Sequence, residues 1–259
     1  MWEKELEKAI EAGKAAQKEI LKIYHQKFEV EIKEDNSPVT LADKTADALI
    51  RKMLQESFPN YAFLTEESED DLSRRKNDYC WIVDPVDGTK DFVARNNEFT
   101  TNIALAYKGE VVVGVIVIPA LDTIYYATKG GGTYKVVSDS APEKCHVNDK
   151  LENLTVLTSR FHVNEKELSL IEKHKDKITK RATFGSSLKA CKIAEGKAEL
   201  SYRMSSGTKE WDIAASQIIV EEAGGVLLKP SGERITYNRE DVYNREGYVI
   251  ANMKKNMLL

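Results

Sequence analysis

Between Phe99 and Val137 the sequence consists almost entirely of β-strand patterns joined by short turns. This segment limits the folds that the chain can adopt more than any other part of the sequence does. Apolar residues alternate with others up to Tyr107, and further strands are predicted at Val111–Ile118, Leu121–Thr128 and Thr133–Val137. Strands that follow one another with short connections usually pair in an antiparallel sheet. The glycine triplet 130–132 is predicted to be a hairpin loop and not a phosphate cradle, because no helix pattern follows it.

Helical patterns precede this sheet. The apolar spacing from residue 4 to residue 25 predicts a first helix, and Thr40 is placed to cap a second helix that ends before Pro59. Short apolar strands are predicted at Tyr61–Thr65 and Tyr79–Val83. The polar segment 33–38 is predicted to be a turn.

After about residue 140, strand and helix patterns alternate, which favours a more parallel sheet. Strands are predicted at Leu154–Thr158, Ile178–Thr183, Glu199–Tyr202 and Val226–Lys229. Helices are predicted at Glu165–His174, Ser187–Glu195 and Glu210–Ala223. The change of pattern near Ser138–Pro142 predicts an N-terminal α+β subdomain, residues 1–140, and a C-terminal α/β subdomain, residues 141–259.

Composition excludes several classes of protein. With 38 Lys and Arg residues against 42 Asp and Glu, the formal net charge is −4, which gives no global basic surface for nucleic acid. The longest strongly apolar run, Val111–Ile118, is far shorter than the ~20 residues of a membrane span. Cys80, Cys145 and Cys191 form no C-x-x-C pair, and the N-terminus lacks a signal-peptide pattern. We therefore expect a cytoplasmic protein with reduced thiols and no membrane or nucleic-acid partner.

The most informative segment is Trp-Ile-Val-Asp-Pro-Val-Asp-Gly-Thr, which begins at residue 81. An apolar strand ends at Asp84, a proline interrupts it, and Asp87 follows. Converging carboxylates repel each other unless cations lie between them, and oxygen ligands favour Mg²⁺ where phosphate also binds. The carbonyl of Val86 is a candidate ligand, and the amides of Gly88 and Thr89, at a predicted helix start, are a candidate anion site. Taken alone, the same residues would also fit an ordinary turn with a helix cap.

Three further carboxylates occupy comparable positions. Glu66 follows the predicted strand Tyr61–Thr65, Asp212 lies at the start of an otherwise apolar helix, and Asp43 lies one turn into the second helix. Each has an ordinary alternative: a solvated acidic loop, a partner for the helix dipole and a solvated surface, respectively. Clustered cations beside an anion site describe a phosphoryl-transfer centre, so the combination predicts one.

Four motifs, in order and rough spacing, give the chain its resemblance to the inositol monophosphatase superfamily of Mg²⁺-dependent, lithium-sensitive phosphatases. They are Ser37-Pro-Val-Thr-x-x-Asp43, Glu66-Glu67, Asp84-Pro-Val-Asp-Gly-Thr89 and Trp211-Asp-Ile-Ala-Ala215. The resemblance covers essentially the whole chain. It implies an α/β fold of the α+β type: a layered α-β-α-β-α sandwich with an antiparallel sheet in the N-terminal half and a mixed, more parallel sheet in the C-terminal half. It also implies a small phosphorylated substrate and allows a homodimer.

The resemblance assigns roles to individual residues. It implies two to three Mg²⁺ ions, held by Glu66, Asp84, the carbonyl of Val86, Asp87 and Asp212. Asp43 and Thr89 match the pair that orients and deprotonates the attacking water in this superfamily. No covalent intermediate is needed, so none of the cysteines or histidines is expected to be a nucleophile.

Within the superfamily the chain resembles most the bacterial 3′(2′),5′-bisphosphate nucleotidase branch, which removes the 3′-phosphate of 3′-phosphoadenosine 5′-phosphate and implies a role in sulfur metabolism. The similarity rests on Asp87-Gly-Thr-Lys-Asp-Phe92, on Ser159-Arg-Phe-His162, in which Phe161 departs from the branch's serine, and on Gly185-Ser-Ser-Leu-Lys189. The candidate substrate contacts are Gly88, Thr89, Ser159, His162, Ser186, Lys189 and Arg203. A second phosphate needs cationic donors beyond the metal ions, which this set offers.

Other interpretations stay open. The same centre would serve inositol 1-phosphate or fructose 1,6-bisphosphate, although Ser205 stands where inositol-specific members carry a carboxylate. His162 alone would also fit a surface position, Lys189 the solvated face of a helix, and Ser186 with its neighbour a helix cap. A non-catalytic regulator that binds nucleotide or metal is a further alternative, which the complete set of acidic residues disfavours.

Overall fold

The computed structural model describes residues 1–32 and 38–259 of the chain. Ser37, the first residue of the first motif, and residues 33–37 of the turn predicted at 33–38 lie outside the described residues, whereas Pro38 begins a strand. The helices are α1 (Glu3–Tyr24), α2 (Leu41–Ser57), α3 (Thr89–Val93), α4 (Glu165–Lys173), α5 (Leu188–Ala194) and α6 (Glu210–Glu222). The strands are β1 (Val30–Ile32), β2 (Pro38–Thr40), β3 (Ala62–Thr65), β4 (Tyr79–Asp87), β5 (Thr100–Tyr107), β6 (Glu110–Ile118), β7 (Thr123–Thr128), β8 (Gly132–Val137), β9 (Glu143–Cys145), β10 (Leu154–Ser159), β11 (Ile178–Phe184), β12 (Leu200–Arg203), β13 (Val226–Leu228) and β14 (Tyr248–Ala251).

Two large sheets organise the described part of the chain. Strands β3 to β9 form a seven-stranded sheet in sequence order, in which only the β3–β4 pair is parallel. The second sheet has the order β11-β10-β12-β14-β13 and is mixed, because β10 pairs in parallel with both neighbours whereas β14 is antiparallel to both of its own. The predicted antiparallel first sheet and mixed second sheet are both confirmed.

The alternation of side chains along β4 connects the layers. Trp81 and Val83 belong to the apolar cluster that packs against α1 and α2, whereas Cys80 and Ile82 belong to the cluster that contains α5 and α6. A third cluster joins the outer face of the second sheet to α4 through Leu170. The layers are therefore helix, sheet, helix, sheet, helix, which confirms the predicted α-β-α-β-α sandwich.

Most predicted elements are present, with a few differences. The strand predicted from Leu121 begins at Thr123, since a short 3₁₀ turn, Pro119–Leu121, precedes it. Strand β14, a buried strand inside the second sheet, follows a long irregular segment and has no counterpart among the predictions. Strand β9 pairs with β8 and extends the first sheet past residue 140, so the division of the chain at that residue stays a prediction.

The cysteines and the second helix behave as expected. Cys80, Cys145 and Cys191 are free and buried. The Thr40 hydroxyl accepts a hydrogen bond from the Ala42 amide (3.1 Å), which caps α2. None of the described helices combines the length and the apolar character needed to cross a bilayer.

Gly114 allows helix α6 to lie directly on strand β6. A Cβ atom at this position would be 2.4 Å from Ile218 Cγ2 and 3.0 Å from the carbonyl oxygen of Ala215. The second contact is with helix backbone, which cannot move away without shifting α6 and the site residue that α6 carries. The absence of a side chain at Gly114 therefore fixes the distance between the first sheet and the central helix layer.

We expect Gly114→Ala to lower the free energy of unfolding by about 1–3 kcal/mol, as overpacking of a filled core does. Urea denaturation followed by circular dichroism measures the change. Gly207→Ala is the control, because an added Cβ there has no atom within 4 Å. Equal stability of the two variants would contradict the close packing of α6 on β6.

Candidate active site

Three aspartates converge where β4 meets the start of α6. Asp84, Asp87 and Asp212 each bring one carboxylate oxygen within 4.8 Å of the other two. Asp84 follows Ile82 by two residues on β4, so it lies on the same sheet face, toward α6. Asp212 is in the first turn of α6, and one of its oxygens accepts the Lys209 backbone N–H at 2.5 Å. The acidic pair predicted from the sequence and Asp212 therefore form one cluster.

An irregularity in β4 brings the second aspartate back to this cluster. Asp84 is paired with Asn102 of β5, and the next paired residue is Asp87, opposite Thr100. The two intervening residues bulge, and the Thr101 hydroxyl donates to the Pro85 carbonyl (2.8 Å) to hold them. Such a bulge re-aims side chains beside a functional site. It is the structural consequence of the Asp-Pro-Val-Asp sequence.

Asp84 shows most directly that the cluster suits a cation. Its side chain is 1% exposed, and its Oδ1 atom is buried with no hydrogen-bond partner among the described residues. Burial raises the pKa of Asp84 well above its ordinary value, and the charges of Glu66, Asp87 and Asp212 raise it further. A buried, unpaired carboxylate oxygen is costly unless a cation or proton satisfies it. The donors are all oxygen atoms, the set that divalent hard cations prefer.

Asp212 responds to the same surroundings. Burial raises its pKa to about 8, Asp87 and Glu66 add to the shift, and the Lys209 backbone and side chain oppose it. Glu66 follows β3, and its backbone N–H donates to the Val83 carbonyl (3.2 Å), which attaches it to the end of β4. The repulsion therefore arises among several carboxylates that the fold brings together, and not from one residue alone.

Asp43 and Thr89, predicted to act on water, lie beside each other. The Thr89 hydroxyl oxygen is 3.3 Å from Asp43 Oδ1 and 3.3 Å from the Val86 carbonyl oxygen. The other oxygen of Asp43 accepts both the backbone N–H (2.8 Å) and the hydroxyl (2.7 Å) of Thr40. Asp43 is 1% exposed, so its ordinary alternative, a solvated surface, does not apply.

The predicted residues share one cavity of about 320 Å³. Its walls include the predicted ligands and substrate contacts Glu66, Asp84, Val86, Asp87, Gly88, Thr89, Ser159, His162, Ser186, Lys189, Arg203 and Asp212. Asp43 contacts the cavity through Thr89. Ser205 is not among the residues that line it, and its hydroxyl is buried with no partner among the described residues.

Lys189 and Arg203 give the same cavity a cationic wall. Lys189 donates to the carbonyls of Ser186 (2.5 Å) and Phe184 (3.4 Å). Burial lowers the pKa of Lys189; Asp87 opposes this shift, and Arg203 adds to it. Arg203 donates to the His162 carbonyl (2.7 Å). An ammonium group with three donors and a guanidinium with five keep further N–H groups for a ligand.

His162 lines the cavity but is largely exposed, in keeping with its surface alternative. Partial desolvation of its ring lowers its pKa to about 4, with Arg203, Lys90 and Lys189 adding to the shift. Its Nε2 atom lies 3.1 Å from Lys90 Nζ, and an ammonium group can only donate, so the ring nitrogen accepts. His162 therefore belongs to the cationic wall as a hydrogen-bonding ring, and Lys90 is a cation that the sequence reasoning did not select.

Several other polar residues of the site were also missed. Thr100, Asn102 and Ser187 surround Asp87 and are nearly or fully buried. Their signal in the sequence is weak: Thr100 and Asn102 are polar residues at alternate positions of an apolar strand, where buried polar groups need a reason. Asp70, which does not line the cavity, forms a bidentate ion pair with the buried Arg74.

Comparisons with known proteins agree with this geometry. A model of the inositol monophosphatase family matches residues 1–259. The chain is 37% identical over 242 residues to the 3′(2′),5′-bisphosphate nucleotidase CysQ of Buchnera aphidicola, covering 92% of this chain and 89% of that protein. It is 31% identical to the CysQ of Escherichia coli K12, covering 95% and 99% of the two chains. The crystal structure of CysQ from Bacteroides thetaiotaomicron superposes with a TM-score of 0.83 at 34% identity, covering 95% and 96%.

The chain therefore belongs to the inositol monophosphatase family, as its motifs indicated. This family is metal-dependent, and the cluster of Asp84, Asp87 and Asp212 fits that dependence. The fold and the acidic site thus both agree with membership of this family.

We expect Asp84→Asn to raise the thermal unfolding midpoint of the metal-free protein, because it removes a buried charge that repels its neighbours. The same variant should lose most of the stabilisation by added MgCl₂, which for the unchanged protein is about 2.7 kcal/mol at 100 times the Kd. Differential scanning calorimetry after chelation, with and without MgCl₂, measures both effects. Asp176→Asn, a change at an exposed carboxylate, should alter neither. A lower metal-free midpoint for Asp84→Asn would contradict the repulsion argument.

Proposed function

We propose that the protein is a Mg²⁺-dependent phosphomonoesterase that hydrolyses the 3′-phosphate of 3′-phosphoadenosine 5′-phosphate, giving AMP and phosphate. One observation carries the proposal: a single cavity is lined both by a carboxylate cluster and by cationic side chains. The CysQ relatives, named as 3′(2′),5′-bisphosphate nucleotidases, support the same substrate.

The division of charge favours a substrate with two phosphates. A phosphoryl group at the carboxylate side needs cations as intermediaries, since carboxylates alone repel it. Lys189 and Arg203 lie outside that cluster and carry N–H donors that can bind a second phosphate directly. A phosphomonoester with a neutral polyol would offer these cations no second anionic group.

The metal ligands in this proposal are those that the family resemblance implied. Glu66, Asp84 and the Val86 carbonyl would hold one ion, and Asp84 with Asp87 and Asp212 would hold another; a third is expected near Glu66. Oxygen ligands beside a phosphate favour Mg²⁺ over softer metals. When bound, such ions lower the pKa of water and neutralise charge on the leaving oxygen.

Asp43 and Thr89 position the water that attacks phosphorus. The Thr89 hydroxyl donates to Asp43 Oδ1, which leaves a lone pair of the hydroxyl oxygen to accept a hydrogen bond from water. Thr40 holds the other oxygen of Asp43, so the carboxylate keeps its orientation. The water oxygen bonds to phosphorus as the bond to the 3′-oxygen breaks, and the water proton passes toward the Thr89–Asp43 pair. The 3′-oxygen takes up a proton from solvent and leaves as the hydroxyl of AMP.

Both predicted subdomains contribute to this site. Segment 1–140 carries Asp43, Glu66, Asp84 and Asp87, and segment 141–259 carries Asp212 and the cationic wall. The proposed partner is a small phosphorylated molecule, and the free, buried cysteines fit a cytoplasmic location.

A substrate panel tests the proposal. Phosphate release from 3′-phosphoadenosine 5′-phosphate should exceed release from inositol 1-phosphate and fructose 1,6-bisphosphate by at least about 10-fold in kcat/KM, the value of one charged hydrogen bond. Chelation should abolish the activity, Mg²⁺ should restore it and Li⁺ should inhibit it. A preference for either sugar phosphate would overturn the nucleotidase assignment, and full activity in chelator would overturn the metal dependence.

The substitution Lys189→Ala tests whether Lys189 binds the second phosphate. We expect kcat/KM for 3′-phosphoadenosine 5′-phosphate to fall by about 10-fold or more, and that for adenosine 3′-monophosphate to fall much less, because only the first substrate offers the anion. Lys192→Ala is the matched control on the same helix, where the ammonium pairs with Glu195 (2.7 Å) outside the cavity. Equal losses with the two substrates would remove Lys189 from the second-phosphate site.

A further inference from the structure

Asp87 receives an unusual concentration of hydrogen bonds on a single oxygen. Its Oδ2 atom accepts from the Ser187 hydroxyl (2.8 Å), the Asn102 amide (3.2 Å) and the Thr100 hydroxyl (3.2 Å). None of the hydrogen bonds among the described residues falls on Oδ1, although Asp87 lines the cavity. One oxygen is therefore held by the protein, and the other remains for a ligand.

The donors also hold one another, which fixes their orientations. Asn102 Nδ2 donates to Ser187 Oγ (2.9 Å) as well as to Asp87, and Asn102 Oδ1 faces the Thr100 hydroxyl (3.1 Å). An ionised carboxylate can only accept, so the amide nitrogen of Asn102 must face Asp87. The side-chain exposures are 0% for Thr100, 1% for Asn102 and 4% for Ser187, so water does not compete.

Ser187 argues against a purely structural explanation of this network. It occupies the N-cap position of α5, where a serine normally uses its oxygen to cap the helix, yet it makes no side-chain cap hydrogen bond. Its hydroxyl turns to Asp87 instead and also lies 3.4 Å from the Asp212 carbonyl oxygen. Helix α5 therefore lacks a side-chain cap at this residue, and the acidic cluster has one more hydrogen-bond donor.

We propose that Thr100, Asn102 and Ser187 are positioning residues that orient the Asp87 carboxylate for a divalent cation. The proposal rests on the metal-dependent function proposed above and names three residues, from β5 and the start of α5, that tune that site. Partners of metal-ligating carboxylates restrict their rotation, and losing such a partner typically weakens metal binding by about 10-fold to 100-fold. Because Ser187 comes from the C-terminal segment, it also links the helix that carries Lys189 to the ligand Asp87.

The test measures Mg²⁺ binding directly, by calorimetric titration of the full-length protein with MgCl₂ in the absence of substrate. Ser187→Ala and Thr100→Val should each raise the Kd for Mg²⁺ by about 10-fold, and Thr100→Ser, which keeps the hydroxyl, should restore it. In Ser187→Ala and Thr100→Val, the rate of phosphate release should be reduced at low Mg²⁺ and largely recovered at saturating Mg²⁺. The KM for substrate should change little.

Two variants elsewhere in the core are matched controls. Thr133→Val removes a buried hydroxyl that donates to the Ile219 carbonyl, and Ser201→Ala removes one that donates to the Leu157 carbonyl. Both should leave the Kd for Mg²⁺ unchanged, whatever they cost in stability. An unchanged Kd in Ser187→Ala and Thr100→Val, or the same increase in the controls, would overturn the positioning role.

The design separates this proposal from the one before it. If the unaltered protein binds no Mg²⁺, the proposed metal dependence fails; if it binds Mg²⁺ and the variants bind equally well, only the positioning role fails. Thr100 and Ser187 lie on different elements. If one variant fails to fold, as judged by circular dichroism, the other variant still tests the positioning role.

Discussion

Repulsion between converging carboxylates is the constraint that the rest of this molecule must satisfy. Asp84, Asp87 and Asp212 bring oxygens within 4.8 Å of one another, and Asp84 is almost completely buried. Charges at this separation in a poorly solvated site would drive the elements that carry them apart. They stay together because β4 lies inside the seven-stranded sheet and α6 packs directly on β6, with Gly114 as the contact. Packing of the core thus offsets the loss in free energy of unfolding that the carboxylate repulsion causes. The repulsion in turn gives the site a high affinity for positive charge.

The two helices that supply acidic residues use the same local device. Asp43 of α2 and Asp212 of α6 are each the third residue of their helix, and each accepts the backbone N–H of the residue before the helix. The helix start thereby orients one oxygen and leaves the other directed elsewhere, and its partial positive charge favours the ionised form. Asp87, at the end of β4, is not the third residue of a helix, and side chains from β5 and the start of α5 hold one of its oxygens instead.

How much the sequence could predict depends on the range of the interaction. The Thr40 cap, the interruption of β4 and the helix after Gly88 are set by neighbouring residues, and they were predicted. The antiparallel first sheet and a more parallel second sheet followed from the pattern of strands and helices, and the family resemblance implied that the second sheet is mixed. By contrast, the contacts of Asn102 and Ser187 with Asp87 join residues 15 and 100 positions apart, and no local pattern encodes them. The lowered pKa of His162 depends on partial desolvation of its ring and on three cations from separate segments. Strand β14 follows an irregular stretch in which periodicity carries no signal.

The opposite charges of the cavity walls have different consequences for substrate and product in the proposed reaction. The phosphate that is cleaved would lie at the carboxylate cluster, where its binding would depend on cations held there. The phosphate that remains would lie against Lys189 and Arg203, whose side chains are held by carbonyls of the protein and whose other N–H groups would bind it without any metal. Hydrolysis removes only the first set of interactions, so AMP keeps the second. In the proposed reaction the cationic wall would contribute about equally to binding of substrate and product, and only interactions at the carboxylate cluster, which strengthen as charge develops at phosphorus, would lower the barrier.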